Sequence, residues 1–221
     1  MVVVPVAEVP AVVEAGSTRY AIPASRHRAE LVIDRSRFVC TIASVRTPDE
    51  AHVFIRAMNV EFDDATHNCW GFVIGPPGST DRIGMSDDGE PHGTAGRPML
   101  TVLLHSDIGD IVAVVTRYYG GIKLGTGGLV KAYSGAVQQA LVNLPRGEHR
   151  EYVQLAVTVG YAQISACQLL WPLHDADVLS EAYDADVRFD VRCPVERVGA
   201  LRQALMDATR GQAVVAVRQV E

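Results

Sequence analysis

Apolar and polar positions between residues 30 and 141 follow patterns that predict a mixed α/β unit. Short β-branched runs and period-two alternation indicate strands, whereas apolar residues spaced three and four apart indicate helices. In chain order the predicted elements are a strand or hairpin over Glu30–Val45, a helix from Thr47 to about Val60, strands at Asn68–Ile74 and Arg82–Met85, a helix from Gly96 to His105, a strand at Ile111–Val115 and a helix through Leu129–Leu141. Thr47, Pro48 and Glu50 predict a capping box at the first helix start.

A second set of elements follows Asn143, Pro145 and Gly147, whose turn chemistry marks a domain boundary. The predicted elements are a strand at Tyr152–Val159, a helix at Ile164–Leu173, strands at Val178–Tyr183 and Val187–Cys193, a helix through Val195–Leu205 and a strand at Ala213–Val217. This β-α-β-β-α-β order is the ferredoxin-like arrangement. We therefore expect an α+β protein with a flexible tail over residues 1–18, a first domain over 19–144 and a ferredoxin-like domain over 145–221.

The most informative stretch joins the Ile111–Val115 strand to the helix that follows, and we call its residues 120–128 the glycine segment. A strand, a glycine-rich segment and a helix N-terminus together present backbone N–H groups to an anion. No Asp or Glu occurs between residues 111 and 147, although the whole chain has a net charge of −6. The predicted anion or nucleic-acid site comprises Arg117, Gly120, Gly121, Lys123, Gly125, Thr126, Gly127, Gly128 and Lys131.

Two common phosphate-binding motifs are excluded by spacing. Gly120 and Gly125 have the separation of a P-loop, but Thr126 stands where that motif requires Lys. Gly125 and Gly127 begin a dinucleotide fingerprint, but Val130 occupies its third glycine position. The sequence therefore supports neither a P-loop nucleotide hydrolase nor a nicotinamide enzyme. A purely structural use of the glycines, for positive φ or close packing, remains the alternative.

An acidic loop, residues 87–95, lies in the Gly- and Pro-rich segment from Ser86 to Met99. Three carboxylates in four residues repel one another unless a metal, a basic side chain or water compensates them. We expect that Asp87, Asp88 and Glu90 lie near Arg117 or Lys123 and position those side chains, and we predict no metal site. His92 lies two residues after Glu90 and joins the candidate site.

The segment Ala65–Gly75 alternates in a way that suits a strand, and His67 and Cys69 would share one face of it. A thiol beside an imidazole suggests nucleophilic catalysis or zinc binding, but the other cysteines are scattered singly along the chain. We therefore expect a buried, inert thiol at Cys69 and a hydrogen-bonding role for His67. The accessory candidate site comprises His67, Asp87, Asp88, Glu90 and His92.

Four segments resemble the signature blocks of the YigZ/IMPACT family and stand in the family's order. These are SRF at Ser36–Phe38, ATHNC at Ala65–Cys69, SDDGEPHGTAGRP at Ser86–Pro98 and TRYYGGIKLGTGGLVKAY at Thr116–Tyr133. The resemblance implies a two-layer α/β first domain, similar to the second domain of a small-subunit ribosomal protein. It also implies the ferredoxin-like second domain of bacterial members. For these members it suggests a role related to nucleic acid or the ribosome, and it supplies no catalytic residue.

Composition narrows the function classes. No apolar run is long enough to span a membrane, and the N-terminus lacks the basic region of a signal peptide. Four single cysteines without such a signal are typical of a reducing compartment, so we expect a cytoplasmic protein with no membrane partner. Residues 1–144 and 145–221 each carry a net charge of −3. Contact with nucleic acid would therefore need a focused basic patch.

Three functions remain open from the sequence. The leading interpretation is a cytosolic protein, without a cofactor, that binds RNA or a ribosomal component through the glycine segment. The second is an enzyme acting on a phosphorylated small molecule, in which the glycine segment holds phosphate and the acidic loop supplies a metal or base site. The third is a protein–protein regulator in which the glycine segment is structural.

Overall fold

The computed structural model describes residues 19–218, which form two compact units, Tyr20–His149 and residues 150–218. The first unit consists, in order, of β1 (Tyr20–Pro23), β2 (His27–Ile33), β3 (Ser36–Ser44), α1 (Pro48–Glu61), β4 (His67–Ile74), β5 (Arg82–Ser86), α2 (Gly96–Leu104), β6 (Ile111–Tyr118), α3 (Gly125–Val142) and β7 (Arg146–His149). Its main sheet is antiparallel, with the strand order β2-β3-β6-β4-β5. The strand that carries Arg117, β6, is therefore central.

The central strand is apolar on both faces, and this determines how the helices pack. Val112 and Val114 join a core with residues of α1, whereas Ala113 and Val115 join a core with residues of α2 and α3. The predicted mixed α/β fold is confirmed. Both faces of the sheet must be shielded from water, so helices cover both of them. The unit therefore has three layers, helix, sheet and helix, instead of the two that the resemblance implied.

A two-stranded ribbon of β1 and β7 closes the first unit. Its register runs from Tyr20 opposite His149 to Pro23 opposite Arg146. The unit therefore extends to His149, five residues beyond the predicted boundary after residue 144. The short β7 segment has no apolar alternation, and its pairing partner lies near the start of the unit. The predicted tail over residues 1–18 falls outside the described residues.

The second unit has the predicted ferredoxin-like order. It consists of β8 (Tyr152–Val159), α4 (Ile164–Leu173), β9 (Asp177–Tyr183), β10 (Val187–Pro194), α5 (Val198–Ala208) and β11 (Val214–Arg218), with short 3-10 turns at Tyr161–Gln163 and Val195–Arg197. The antiparallel sheet order β11-β8-β10-β9 places the first and third strands of the unit at its centre. Alternate residues of β10, such as Phe189 and Val191, are fully buried in the core that α4 and α5 cover. None of the helices in the described part of the chain is long and apolar enough to span a bilayer.

Candidate anion-binding site

The end of β6 brings Arg117 to the place where α3 begins. Alternation along β6 puts Arg117 on the same face as Ala113 and Val115, which is the face that packs against α2 and α3. In the sheet register, Phe38 of β3 and His67 of β4 lie on either side of Arg117. The strand therefore delivers a cationic side chain, flanked by two rings, to the layer that contains the glycine segment.

The glycine segment is only partly a loop. The predicted helix through Leu129 begins four residues earlier, at Gly125, so that Gly127 and Gly128 lie in its first turn. Gly125 has φ +70°, a conformation that other residues adopt only at a cost, and it turns the chain into α3. The sequence prediction left these glycines outside the helix because glycine has a low intrinsic helix propensity. Packing of Leu129 in the core overrides that preference.

The glycines serve different purposes. A Cβ at Gly120 would lie 2.0 Å from the carbonyl carbon of Arg35, and the Gly120 N–H donates to Ser36 Oγ at 3.1 Å. Close packing therefore requires glycine at position 120, which agrees with the alternative of a purely structural use of the glycines. At position 121 the positive φ of +87° accounts for glycine. At Gly127 a Cβ would meet nothing within 4 Å among the described residues. Neither packing nor backbone conformation requires glycine there.

The N-terminus of α3 differs from that of α2 in how its N–H groups are used. In α2, Asp87 supplies an anion: Oδ1 accepts from Ala95 N at 3.0 Å and from Gly96 N at 2.8 Å, and Oδ2 accepts from Gly93 N at 2.7 Å. In α3 the N-cap position is Leu124, which has no side-chain acceptor, and the first turn contains no acidic residue. Its first N–H groups thus lack a side-chain acceptor among the described residues, and they form the positive end of the helix dipole.

Burial and backbone hydrogen bonds act in opposite directions on Asp87. Desolvation raises its pKa, but the N–H groups of Gly93, Gly96 and Ala95 outweigh that effect, so that the net pKa is lowered below its ordinary value. Asp87 is therefore a charged carboxylate that stabilises the start of α2. It does not position Arg117 or Lys123, contrary to our expectation.

Glu90 is the acidic-loop residue that meets Arg117. Arg117 Nη1 donates to Glu90 Oε1 at 2.5 Å, and the Tyr133 hydroxyl of α3 donates to the same oxygen at 2.8 Å. Arg117 and Glu90 are only 6% and 8% exposed. Burial, followed by the neighbouring Cys69 and Glu90, raises the pKa of Tyr133, so its hydroxyl remains a donor. This confirms the expected pairing of the acidic loop with Arg117 for one of its three carboxylates.

Part of the donor capacity of Arg117 is unused by the described residues. A guanidinium has five N–H donors, and within the described residues the buried Nε has no hydrogen-bond partner. The guanidinium carbon lies 5.5 Å from the ring centroids of both Phe38 and Tyr119. The side chain is thus held by one ion pair and two rings, and the described residues leave its Nε–H without an acceptor.

A cavity of about 420 Å³ opens beside this cluster. It is lined by Thr66, His67, Glu90, Pro91, Arg117, Tyr119, Lys123, Leu124, Gly125, Thr126 and Leu129. This volume lies within the range of small-molecule sites. We call the cavity and these residues the anion site. Of the predicted residues, it brings together Arg117, Lys123, Gly125, Thr126, His67 and Glu90.

Other predicted residues lie outside the cavity wall. They are Gly120, Gly121, Gly127, Gly128, Lys131, Asp87, Asp88 and His92. Lys131 is exposed on α3 one turn after Gly127, and helical side chains tilt towards the N-terminus, so Lys131 lies on the same face as Gly127. Asp88 Oδ2 accepts from Asn68 N at 2.6 Å and so docks the acidic loop on β4 rather than positioning a basic residue. The His92 ring is fully exposed, and its Nδ1 lies 3.8 Å from Asp87 Oδ2.

His67 and Cys69 share the predicted face of β4, where both touch the acidic loop. His67 Nδ1 lies 2.6 Å from the Asp88 carbonyl oxygen, so this nitrogen carries the hydrogen. Cys69 Sγ donates to the Asp87 carbonyl oxygen at 2.9 Å. Burial is the main cause that raises the pKa of Cys69, which keeps the thiol protonated. Cys69 is therefore a buried, protonated thiol, whereas His67 contributes to the cavity wall.

Several residues of the site and of the cluster around Arg117 were not among the sequence candidates, and Tyr133 is the clearest. It lies within the helix predicted through Leu129–Leu141, and it is fully buried. A buried tyrosine hydroxyl nearly always requires a partner, and this requirement was the available signal. Tyr119 and Leu124 gave no comparable signal, because wall residues of a cavity have no sequence period.

Comparisons with known proteins agree with this architecture. The Impact N-terminal domain matches residues 34–141, and a domain of unknown function, DUF1949, matches residues 157–212. IMPACT family member YigZ of Escherichia coli (strain K12) is 40% identical over 86% of this chain and 93% of the relative. For IMPACT family member YvyE of Bacillus subtilis (strain 168), the identity is 36% over 83% of each chain.

A solved structure extends the comparison to three dimensions. A crystal structure described as that of an hypothetical protein is 37% identical, with a TM-score of 0.64, and the match covers 92% of this chain and 99% of that one. The family models match residues of both units, and the matches cover 93% and 83% of the two bacterial relatives. The chain therefore belongs to the IMPACT family.

Proposed function

We propose that the protein binds RNA or a ribosomal component, and that the anion site receives a phosphate group of this partner. The observation that carries the proposal is that Arg117, although only 6% exposed, lines the cavity together with Lys123 and the first residues of α3. Within the described residues its guanidinium meets a single carboxylate, that of Glu90. A phosphate group in the cavity would bring further charged acceptors to this side chain.

The charge around the cavity supports an anionic partner. Glu90 neutralises one charge of Arg117, and Lys123 and the N-terminus of α3 add positive charge that no acidic side chain of the cavity wall offsets. Lys131 extends this charge along α3. The remainder of the chain is acidic, so binding is confined to a focused patch and depends on salt concentration.

Co-sedimentation with purified ribosomes and with free RNA, at low and raised salt, tests the proposal. The informative variant is Lys123→Ala/Lys131→Ala, because both side chains are exposed and the fold does not depend on them. Arg56→Ala/Arg202→Ala is the matched control, since it removes two exposed cations from α1 and α5. We expect weaker binding in the first variant and a salt slope that is smaller by about 0.7 for each lost contact to a single strand. Binding that neither salt nor Lys123→Ala/Lys131→Ala changes would overturn the proposal.

An enzyme acting on a phosphorylated small molecule is the second candidate. The observation that favours it is the size of the cavity, together with an imidazole in its wall: His67 donates through Nδ1 and leaves Nε2 for proton transfer. Turnover of a phosphorylated metabolite that is lost in His67→Gln would support this candidate. A protein–protein regulator would instead retain partner binding when both lysines are replaced.

A further inference from the structure

Three residues that line the anion site are largely buried, so that each presents only a small part of its surface to a ligand. Arg117, Glu90 and Leu129 line the cavity and are each less than a tenth exposed. An internal phosphodiester has nucleic-acid chain on both sides, which must enter and leave through the same opening. A terminal phosphomonoester has chain on one side and can enter end-on.

The donors of the anion site come from separate elements. Arg117 approaches from the end of β6, Lys123 from the connection after it, and the first N–H groups from α3. A phosphomonoester presents three strongly accepting oxygens and a charge of about −1.5 to −2 near neutral pH. A phosphodiester presents two free oxygens and a single charge, so it would satisfy fewer of these donors.

Other residues of the cavity wall are suited to the nucleoside next to such a phosphate. Tyr119 is 47% exposed, and Leu124 and Pro91 also line the cavity. Bases stack on exposed aromatic rings with little regard to sequence. A volume of about 420 Å³ fits a single small ligand and not a length of strand.

Gly127 keeps the first turn of α3 bare. Because a Cβ there would meet nothing among the described residues, glycine is not needed for packing, and its absence of a side chain lets a ligand approach the backbone. Gly199 in α5 has the same open surroundings in the second unit. It provides a matched position at which the same substitution can be made in the other unit.

We propose that the anion site recognises the terminal phosphate of an RNA strand, with the end nucleoside against Tyr119. This inference rests on the proposed function and specifies its ligand. The phosphate is bound by Arg117, Lys123 and the N-terminus of α3, and Glu90 and Tyr133 hold the guanidinium in place.

The test measures binding of the full chain to one short single-stranded RNA by fluorescence anisotropy, with an internal label. The RNA is prepared with a 5′-phosphate, with a 3′-phosphate, or with hydroxyl groups at both ends. We expect one phosphorylated form to bind about tenfold more tightly than the hydroxyl form. A nucleoside monophosphate with the phosphate at the same position should compete, whereas the nucleoside should not.

The variants assign this preference to the cavity and the start of α3. Gly127→Ala, next to the cavity residue Thr126, should reduce the preference for the phosphorylated end while the protein is at least as heat-stable as the original. Gly199→Ala should leave the preference unchanged. Tyr119→Ala should weaken binding of the phosphorylated RNA, and Tyr119→Phe should restore it, because the aromatic face is retained.

The outcomes separate this inference from the proposed function. Equal affinity for all three ends, with binding lost in Lys123→Ala/Lys131→Ala, would overturn end recognition and leave RNA binding intact. Competition by the monophosphate without binding of any RNA would support a terminal-phosphate site and overturn the RNA function. Absence of binding to every probe would overturn both.

Discussion

Arg117 and Glu90 form a buried ion pair, with 2.5 Å between Nη1 and Oε1, that joins the central strand β6 to the acidic loop. The Tyr133 hydroxyl donates to the same oxygen at 2.8 Å and adds α3 to the cluster. Three segments of the first unit thus meet at one carboxylate. The pair fixes the guanidinium through one of its nitrogens, and Nε has no hydrogen-bond partner among the described residues.

Removing the acid of this pair should destabilise the fold. Glu90→Ala leaves a guanidinium and a tyrosine hydroxyl buried without their acceptor, so we expect the free energy of unfolding to fall by about 3–5 kcal/mol. Urea denaturation measures this value. Asp81→Ala is the control, because Asp81 is exposed, and its effect should stay within about 0.5 kcal/mol. A loss in Glu90→Ala no larger than in this control would contradict the structural role of the pair.

The Asp87 carboxylate should make stability depend on pH. Its folded-state pKa is lowered, so it stabilises the protein above the unfolded pKa of about 3.9, and this contribution is lost as the pH falls through the folded-state value. Asp87→Asn should therefore lower the free energy of unfolding by about 2 kcal/mol near neutral pH. The difference between the two proteins should shrink in acid.

Urea denaturation at neutral pH and at about pH 3 measures that difference. Asp81→Asn serves as the comparison, since Asp81 is exposed and accepts no comparable set of backbone N–H groups among the described residues. A constant difference between the original protein and Asp87→Asn across this pH range would show that charge on Asp87 is unimportant for α2.

Alanine substitutions should rank the glycines by their structural roles. Gly120→Ala forces a methyl group against the Arg35 backbone and should lower the free energy of unfolding by about 1–3 kcal/mol or more. In Gly125→Ala the alanine must adopt a positive φ, which should lower the free energy of unfolding by about 1–2 kcal/mol. Gly127→Ala should instead stabilise the protein by about 0.5–1 kcal/mol, because alanine favours the helix. Thermal denaturation of the three variants gives the ranking, and similar losses at all three positions would refute it.

The thiols should resist alkylation in the native protein. All four cysteines are free and buried. Burial raises the pKa of Cys40 to about 12, and burial is the largest cause that raises the pKa of Cys193 to about 11. Because the thiolate is the reactive form, we expect iodoacetamide to label the cysteines only after unfolding in denaturant. Mass spectrometry of the labelled protein counts them, and rapid labelling of Cys69 in the native state would reopen the question of a nucleophile.

The elements that the sequence predicted well are those whose pattern is local. The strand at Tyr152–Val159 and the helix at Ile164–Leu173 were predicted at their observed bounds. Thr47 Oγ1 accepts from Glu50 N at 3.1 Å, as the capping pattern indicated. The Glu50 side chain accepts from the backbone N–H of Arg46, whereas a capping box predicts the N–H of Thr47. Which N–H this side chain meets depends on the path of the chain before the helix.

The sequence alone determined the mixed α/β organisation, the ferredoxin-like order and the presence of a basic glycine segment beside an acidic loop, since periodicity and spacing record these features. The tertiary structure decided which carboxylate meets Arg117, because Asp87, Asp88 and Glu90 differ little in sequence but point to different partners after the acidic loop docks on β4. It likewise placed Tyr133 on Glu90 and extended α3 back to Gly125. These outcomes depend on through-space contacts between segments far apart in the chain, and such contacts are set by sheet register and helix packing rather than by local pattern.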